Sequence, residues 1–352
     1  MKQAGLAKRV GTDIGALGGE FALIERIAAG IKTRDDDLLV GIGDDAAVLR
    51  VSGGKRCVVT TDMLFEDVHF RLAWTDAYRL GWKAVAVNLS DIAAMGAQPT
   101  FTFVAVALRA DSSVCFVEEL YRGMRDACAQ YGSVVAGGDT NVSPTGTVIN
   151  VTQMGEVKQR HTILRRDAAP GDRILVTGAL GNAAAGLALL EAEGRASAEM
   201  ISPLAVEAQL RPTPRVFEGR AAARAGGVTA MMDVSDGLLG DLRKLCRSSR
   251  VGARVRGECV PVGEAARAAA AHLNADADRW ALYGGEDYAL LMTVAPDRAD
   301  AVRAEIEEKT GTPVSVIGEI TADAEVALVR EDGTCEPVRR GWDHFAGTNG
   351  AH

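Results

Sequence analysis

The chain of 352 residues is 47% hydrophobic and 24% charged, with 39 basic and 47 acidic side chains and a formal net charge of −8. This balance excludes a disordered tract or a coiled coil as the main architecture. The excess of acid leaves no broad cationic surface, so duplex nucleic acid is not an expected partner, whereas metal ions or metal-neutralised anions are.

The length predicts two domains with cores of their own, because a single core stops growing well below this size. We expect an extension at 1–17, domains at 18–158 and 159–346, and a tail at 347–352. The six cysteines show no paired spacing, so a reducing cytoplasm is the expected location. No signal peptide and no membrane span are predicted, because no apolar stretch is long enough.

The first half of the chain alternates strand and helix patterns. GIGDDAAVLRV and CVVTTDM, joined by a Gly-Gly turn, predict a hairpin that carries Asp44 and Asp45 to one end and Thr60, Thr61 and Asp62 to another. A helix capped by Thr75 or Asp76 follows and runs to about Met95. It is apolar nearly all round and therefore buried, yet it carries Asn88 and Asp91 on one face. A second helix at about 114–131 leads into SVVAGGDT, a strand ending in a Gly-Gly-Asp turn.

The second half repeats the theme of carboxylates at turns. RILVTG begins a strand-then-helix pattern, VTAMMDVSDGLLGDL predicts strand, acidic turn and helix, and ALYGGEDYALLMTV predicts a Gly-Gly turn before a strand. Six acidic turns result: GIGDD, TTD, LSD, GGDT, DVSDG and GGED. The chain therefore belongs to the α/β or α+β class.

These acidic turns predict a site for several metal ions. Carboxylate and hydroxyl oxygens are the ligands that Mg²⁺ prefers, and glycine lets backbone approach a ligand closely. Two negative charges 4 Å apart repel by about 4 kcal/mol at an effective dielectric of 20, so converging carboxylates need cations. Metals held in this way usually complete their coordination with phosphate oxygens, as in phosphoryl transfer.

Any single acidic turn is more often an ordinary surface turn. The placements of Asp62, Asp91, Asp139 and Asp233 beside or inside apolar segments favour a functional site. Asp167, Asp172 and Asp241 are interpreted as ordinary turns.

Other motifs are absent from the sequence. It has no phosphate-binding P-loop, no zinc-ligand spacing of histidines and no nucleophile elbow, and GIGDDA precedes a hairpin where a dinucleotide fold needs a helix. An ATP-dependent enzyme of this sequence would therefore hold phosphates through metal ions.

The motifs together resemble the thiamine-monophosphate kinase family, within the superfamily of aminoimidazole ribonucleotide synthetases. The resemblance spans about 18–346 and rests on GIGDDAAVL, TTDMLFEDVHF, KAVAVNLSDIAAMGAQP, AGGDT, GDRILVTGALGNAAAGLALL, MMDVSDGLLGDL, GGEDYALL and GWDHF. It implies direct transfer of the γ-phosphoryl group of ATP to thiamine monophosphate with several Mg²⁺ ions, and no residue acting as a covalent nucleophile. The implied fold is an α/β domain that binds metal and ATP, followed by an α+β domain, with strands of the first domain pairing across a homodimer.

The resemblance also implies roles for particular residues. The implied metal ligands are Asp45, Thr60, Thr61, Asp62, Asp91, Asp139, Asp233 and Asp236. The implied contacts to ATP are Tyr121, Gly138, Asp139, Arg165 and Ser235. The implied contacts to thiamine monophosphate are His69, Glu286 and Trp342, whose indole is expected to stack on the cationic ring.

The sequence departs from the family pattern at three places. Asp67 stands where glycine is usual and adds an acid beside the implied thiamine site. Asn182 and the pair Asn141-Val142 are expected to affect loops only.

Two alternatives remain open at this point. The alternatives to a kinase of this family are another ATP-dependent enzyme of the superfamily, such as a selenophosphate or aminoimidazole ribonucleotide synthetase, and a non-catalytic acidic scaffold that binds divalent cations. Residues 1–17 contain no cysteine, whereas such a superfamily relative typically needs an added nucleophile or a glycine-rich segment there.

Overall fold

The computed structural model describes residues 38–40, 44–51 and 53–338. The predicted extension at 1–17, the tail at 347–352, Trp342 and the glycines of GIGDD lie outside the described residues. No described helix is both long and apolar enough to cross a lipid bilayer.

The described chain forms two mixed sheets with helices packed against them. The strands of the first sheet are β1 (Leu38–Val40), β2 (Ala47–Arg50), β3 (Lys55–Phe65), β4 (Gln98–Arg109), β5 (Val134–Ser143) and β6 (Val148–Lys158). The strands of the second sheet are β7 (Arg173–Thr177), β8 (Val228–Asp233), β9 (Gly252–Arg256), β10 (Leu290–Val294), β11 (Val314–Thr321), β12 (Val326–Val329) and β13 (Cys335–Pro337). The helices are α1 (Ala77–Ala94), α2 (Val114–Tyr131), α3 (Asn182–Ile201), α4 (Pro203–Leu210), α5 (Val216–Ala225), α6 (Leu238–Ser249), α7 (Glu264–Leu273), α8 (Ala277–Tyr283) and α9 (Ala299–Thr310).

Both sheets are assembled from segments far apart in sequence. The first has the strand order β1-β2-β3-β6-β4-β5, and the second has the order β13-β12-β9-β11-β7-β10-β8. In the first sheet β4 and β5 run parallel and the other neighbours antiparallel. The predicted mixture of helix and strand is therefore confirmed.

The predicted hairpin is present, but its consequence for the aspartates was wrong. Gly53 and Gly54 take positive φ at the turn, and Ala47 of β2 pairs with Val59 of β3. In an antiparallel pair the start of one strand lies beside the later part of the other. Asp44 and Asp45 therefore lie beside 60–62, at the same end of the hairpin.

Helix α1 lies between the first sheet and the second half of the chain, which explains why it is apolar nearly all round. It begins as predicted, with the Asp76 carboxylate accepting a hydrogen bond from the backbone N–H of Arg79. It contacts β3, β4 and β6 as well as β8, α2 and α5. A Cβ added at Gly81 would lie 1.9 Å from the Leu120 carbonyl oxygen, so α1 and α2 approach closely at glycine.

Two predictions about local structure need correction. The predicted turn at Gly137, Gly138 and Asp139 is instead part of β5, which pairs with β4 from Val134 to Ser143. The Asp172 carboxylate is buried and accepts hydrogen bonds from the backbone N–H of Ala169 (2.8 Å) and the Thr229 hydroxyl (2.6 Å), so it is not an ordinary surface turn.

The departures from the family pattern lie in defined elements. Asp67 has φ +65°, a left-handed conformation that favours glycine. Asn182 begins α3 and accepts a hydrogen bond from the backbone N–H of Ala266 in α7 (3.0 Å), while Asn141 and Val142 lie within β5. The expectation that the last three affect only loops was wrong.

Candidate active site

Three carboxylates converge where α1 meets both sheets. Asp45, Asp91 and Asp233 each offer an oxygen atom, and these atoms lie within 4.8 Å of one another. Asp45 precedes β2, Asp91 lies in the last turn of α1, and Asp233 ends β8. The fold thus brings together three of the predicted metal ligands from distant segments.

Neighbouring polar groups orient these carboxylates. The buried Thr60 hydroxyl donates a hydrogen bond to Asp91 Oδ2 (2.5 Å), and the Ser90 hydroxyl donates one to Asp233 Oδ2 (2.6 Å). The backbone N–H of Asp62 donates to the Asn88 side-chain oxygen (3.0 Å). The Asp62 carboxyl group itself interacts with that of Asp91, so Asp62 reaches from β3 to the same face of α1.

Burial opposes ionisation of Asp62, Asp91 and Asp233 in the absence of cations. Burial, followed by the charges of Asp62 and Asp233, raises the pKa of Asp91 well above its usual value. Burial, followed by the charge of Asp45, raises the pKa of Asp233 well above its usual value, and burial raises the pKa of Asp62 to about 6. A bound cation would reverse these shifts because it favours the charged form.

Arg165 supplies one cation to this site. Its guanidinium group forms an ion pair with Asp45, and its backbone N–H donates to the Asp44 carboxylate (3.2 Å to Oδ2). Burial, followed by the charge of Asp45, raises the pKa of Asp44 to about 6. Asp45 Oδ2 and Arg165 Nε are buried without a hydrogen-bond partner in the described structure. An unpartnered acceptor and an unpartnered donor fit a cation and an anionic oxygen respectively.

The turn after β8 carries Ser235 and Asp236 and is held by Asp241. Asp241 Oδ2 accepts hydrogen bonds from the backbone N–H groups of both turn residues, each at 2.9 Å. Lys244 Nζ lies 2.5 Å from Asp236 Oδ2 and 2.7 Å from Asp241 Oδ1. Asp241 is fully buried, so its interpretation as an ordinary turn was wrong.

Two of the predicted substrate-binding residues are linked through Lys83. The Lys83 ammonium lies 2.7 Å from Glu286 Oε1 and donates to the His69 carbonyl oxygen (3.4 Å). His69 Nδ1 accepts a hydrogen bond from the backbone N–H of Phe65 (3.0 Å), which fixes the ring orientation. The structure thus places His69 and Glu286 on two sides of one buried lysine.

The predicted nucleotide contacts on β5 form a separate group. Tyr121 in α2 interacts through its hydroxyl with Thr140, next to Gly138 and Asp139. A Cβ at Gly138 would lie 1.7 Å from the Val104 carbonyl oxygen, so only glycine fits. Because β5 is the third strand from β3, Asp139 lies roughly 14 Å across the sheet from Asp62. It is not part of the carboxylate cluster.

Thr61 also lies outside the cluster. Successive side chains of a strand point to opposite faces, so Thr61 faces away from Thr60 and Asp62. Its exposed hydroxyl donates to the Val151 carbonyl oxygen (3.1 Å).

A cavity of about 550 Å³ lies away from this site, between the starts of α1 and α2 and helix α4. Its arginines, Arg79, Arg122 and Arg211, each form an ion pair with Glu119 or Glu207 of the same lining. Paired in this way, they offer no obvious anion site.

Comparison with known proteins identifies the family. The model for the AIR synthase related protein N-terminal domain matches residues 43–157, and the model for the C-terminal domain matches residues 169–331. The chain is 36% identical to thiamine-monophosphate kinase of Escherichia coli K12 over 332 residues, which cover 93% of this chain and 98% of that protein. It is 38% identical to thiamine-monophosphate kinase of Synechococcus elongatus over 312 residues, covering 86% and 91%. The chain belongs to the thiamine-monophosphate kinase family.

Solved structures agree with this family and with its two-domain fold. AaThiL complexed with AMPPCP and TMP superposes with a TM-score of 0.81 at 30% identity, covering 96% of this chain and 100% of that one. Thiamine-monophosphate kinase from Stenotrophomonas maltophilia superposes with a TM-score of 0.72 at 38% identity, covering 90% and 98%. Hydrogenase maturation protein HypE in complex with ATP has a TM-score of 0.68 at 22% identity and shares the fold alone.

Several side chains of this site were not predicted from the sequence. Lys83 carried the same signal as Asp91, since it is a charged residue in the apolar part of the same helix. Lys244 and Gln209 carried no such signal, because a lysine or glutamine in a helix with other polar residues looks in the sequence like an ordinary surface residue.

Proposed function

We propose that the chain transfers the γ-phosphoryl group of ATP directly to thiamine monophosphate, which gives thiamine diphosphate and ADP. The observation that carries this proposal is the convergence of Asp45, Asp91 and Asp233, with one oxygen of Asp45 buried and unpartnered. Relatives that are named for this activity cover nearly the whole chain, and the AaThiL complex with AMPPCP and TMP supports both ligands.

We assign Mg²⁺ to the carboxylate cluster. Asp45, Asp91 and Asp233 supply the oxygen ligands that Mg²⁺ prefers. Asp62 contacts Asp91, and Asp236 lies in the turn that follows Asp233. Bound Mg²⁺ would neutralise the phosphate oxygens and stabilise the charge of the transferred group. Thr60 takes part by orienting Asp91, while Thr61 and Asp139 remain predicted ligands outside the cluster.

The residues act by positioning in this proposal. The acceptor is a phosphate monoester whose oxygen is already ionised at neutral pH, so no strong general base is required. Arg165 and the Ser235 turn lie beside the cluster and are proposed to hold ATP phosphates. The Tyr121, Gly138 and Asp139 group is proposed to contact the nucleotide, and His69, Glu286 and Trp342 the thiamine end.

The deciding experiment measures ADP formation with ATP, Mg²⁺ and either thiamine monophosphate or unphosphorylated thiamine, and checks the product by mass. We expect ADP and thiamine diphosphate only from the monophosphate. No ADP from either acceptor, with a folded protein that is stabilised by ATP and Mg²⁺, would contradict the proposal. A phosphorylated enzyme trapped during turnover would contradict direct transfer. A scaffold that merely binds cations would gain no stability from ATP analogues beyond that from Mg²⁺.

We also propose that two copies of the chain pair through the first sheet. Helices α1 and α2 cover one face of that sheet, whereas the opposite face carries large apolar side chains that are 41–49% exposed. These side chains are Met63, Phe65, Phe101 and Phe103. An apolar patch of this kind usually marks an interaction surface. Light scattering during gel filtration should give a dimer mass, and Phe103→Glu should give the monomer mass.

A cytoplasmic location is retained as part of the proposal. All six cysteines are free thiols in the structure, as expected for a reducing compartment. The measurement is the partition of the native protein between the soluble and membrane fractions of its own cell.

A further inference from the structure

The turn that carries Glu286 is tightly constrained. Glu286 has φ +67°, and its backbone N–H donates to the Ser235 carbonyl oxygen (2.8 Å). A Cβ added at the preceding Gly285 would lie 2.6 Å from the same oxygen. The turn therefore packs directly on the acidic turn after β8. This contact fixes the position of Glu286 relative to Asp233, which precedes the acidic turn and belongs to the carboxylate cluster.

Two buried side chains hold the Glu286 carboxylate. The Lys83 ammonium lies 2.7 Å from Oε1, and the Gln209 side-chain amide donates to Oε2. The Lys83 side chain is 3% exposed and Gln209 is 5% exposed, whereas the Glu286 side chain is 26% exposed. The carboxylate is thus fixed from behind and open on one side.

The orientation of the Gln209 amide leaves one acceptor unused. An ionised carboxylate only accepts hydrogen bonds, so the Gln209 Nε2 group is the one that bonds to Glu286, and Gln209 Oε1 cannot use that carboxylate as a partner. Oε1 is buried and has no hydrogen-bond partner in the described structure. Buried acceptors without partners are rare in folded proteins, because each one costs its desolvation free energy. This atom fits a ligand group that donates a hydrogen bond, such as an amino N–H.

We propose that Lys83, Gln209 and Glu286 form a subsite for an amino group on the heteroaromatic ring of the phosphate acceptor. The inference rests on the proposed function, in which the phosphate acceptor is thiamine monophosphate. The group that donates the hydrogen bond to Gln209 Oε1 is then the amino group of its pyrimidine ring. Lys83 balances the charge of Glu286, so the subsite selects a hydrogen-bond donor more than a positive charge. Gln209 determines specificity through its free oxygen, and Lys83 is a positioning residue that holds Glu286.

The position of the subsite suits a substrate with a ring at one end and a phosphate at the other. Lys83 and Asp91 lie in the same helix, eight residues apart, which corresponds to about 12 Å along its axis. The ring would then lie near Lys83, and the phosphate would lie near the carboxylate cluster.

The test compares thiamine monophosphate with its analogue in which the ring amino group is replaced by a carbonyl oxygen. The variants are Gln209→Met, Lys83→Met and Lys83→Arg, with Lys55→Met and Gln130→Met as controls on exposed surface. We expect the wild type to prefer the amino substrate by about a hundredfold in kcat/KM, and Gln209→Met to reduce this preference by about tenfold, chiefly through KM. Lys83→Met should raise KM by about tenfold, and Lys83→Arg should restore most of the loss. Calorimetric titration of thiamine monophosphate should show the same order of affinities.

Unchanged KM and unchanged preference in folded Gln209→Met would overturn the inference, as would equal use of both substrates by the wild type. If Lys83→Met does not fold, Gln209→Met and Lys83→Arg decide the matter. Failure of the proposed function is a different result, because the wild type would then form no ADP with thiamine monophosphate.

Discussion

Replacing Asp91 by asparagine is expected to stabilise the protein without divalent cations while removing phosphoryl transfer. Asp91 shares a 4.8 Å cluster with Asp45 and Asp233. At that distance two unit charges repel by about 3.5 kcal/mol at an effective dielectric of 20. The Asp91 side chain is only half-buried, so solvent screens part of this repulsion, and we expect the free energy of unfolding to rise by about 2 kcal/mol.

The sign of the pH dependence follows from the raised pKa of Asp91. The native protein binds this proton more tightly than the unfolded chain, so the wild type loses stability as the pH rises above about 4. The asparagine side chain of the variant cannot ionise, and the advantage of the variant should therefore be small near pH 4 and grow towards pH 8.

Urea unfolding of both proteins with EDTA, and again with Mg²⁺, measures this effect, and Asp111→Asn on the exposed surface is the control. Mg²⁺ should stabilise the wild type and the control, and should have little effect on the Asp91 variant. A variant that is less stable than wild type in EDTA, and that keeps both its Mg²⁺ response and its ADP formation, would refute the assignment of Asp91 to a cation site.

Three further predictions concern the scaffold of the site. Asp241→Asn breaks the buried ion pair with Lys244 and should lower the free energy of unfolding by about 3 kcal/mol, measured by urea unfolding; an unchanged value would mean that the pair contributes nothing. Burial raises the pKa of Asp287 to about 7, so the titration of Asp287 should lower wild-type stability by about 2–4 kcal/mol between pH 4 and pH 7. Asp287→Asn should remove that share of the fall and leave the share that comes from Asp91; parallel pH profiles of variant and wild type would refute the prediction. Gly81→Ala places a methyl group against the Leu120 carbonyl and should cost about 3 kcal/mol in thermal or urea unfolding, whereas a neutral result would show that α1 and α2 separate easily.

The local sequence was enough to predict several helices and strands of this protein and to single out several aspartates as candidate site residues. Apolar residues on nearly every side of the segment from Asp76 to about Met95 predicted a buried helix, and Asp91 stood out because a carboxylate in such a helix needs a partner. The strand before Asp233 and the Gly-Gly hairpin could also be predicted, because turn chemistry and side-chain periodicity depend on residues that are close in the sequence.

Tertiary structure alone decided which of those acids meet. Antiparallel pairing brought Asp45 beside β3, although the sequence suggested opposite ends, and the strand order separated Asp139 from the cluster. The contact of Gln209 with Glu286 joins residues that are 77 positions apart in the chain. Local propensity carries no information about such contacts, because their free energy arises only when desolvation and packing bring the partners together.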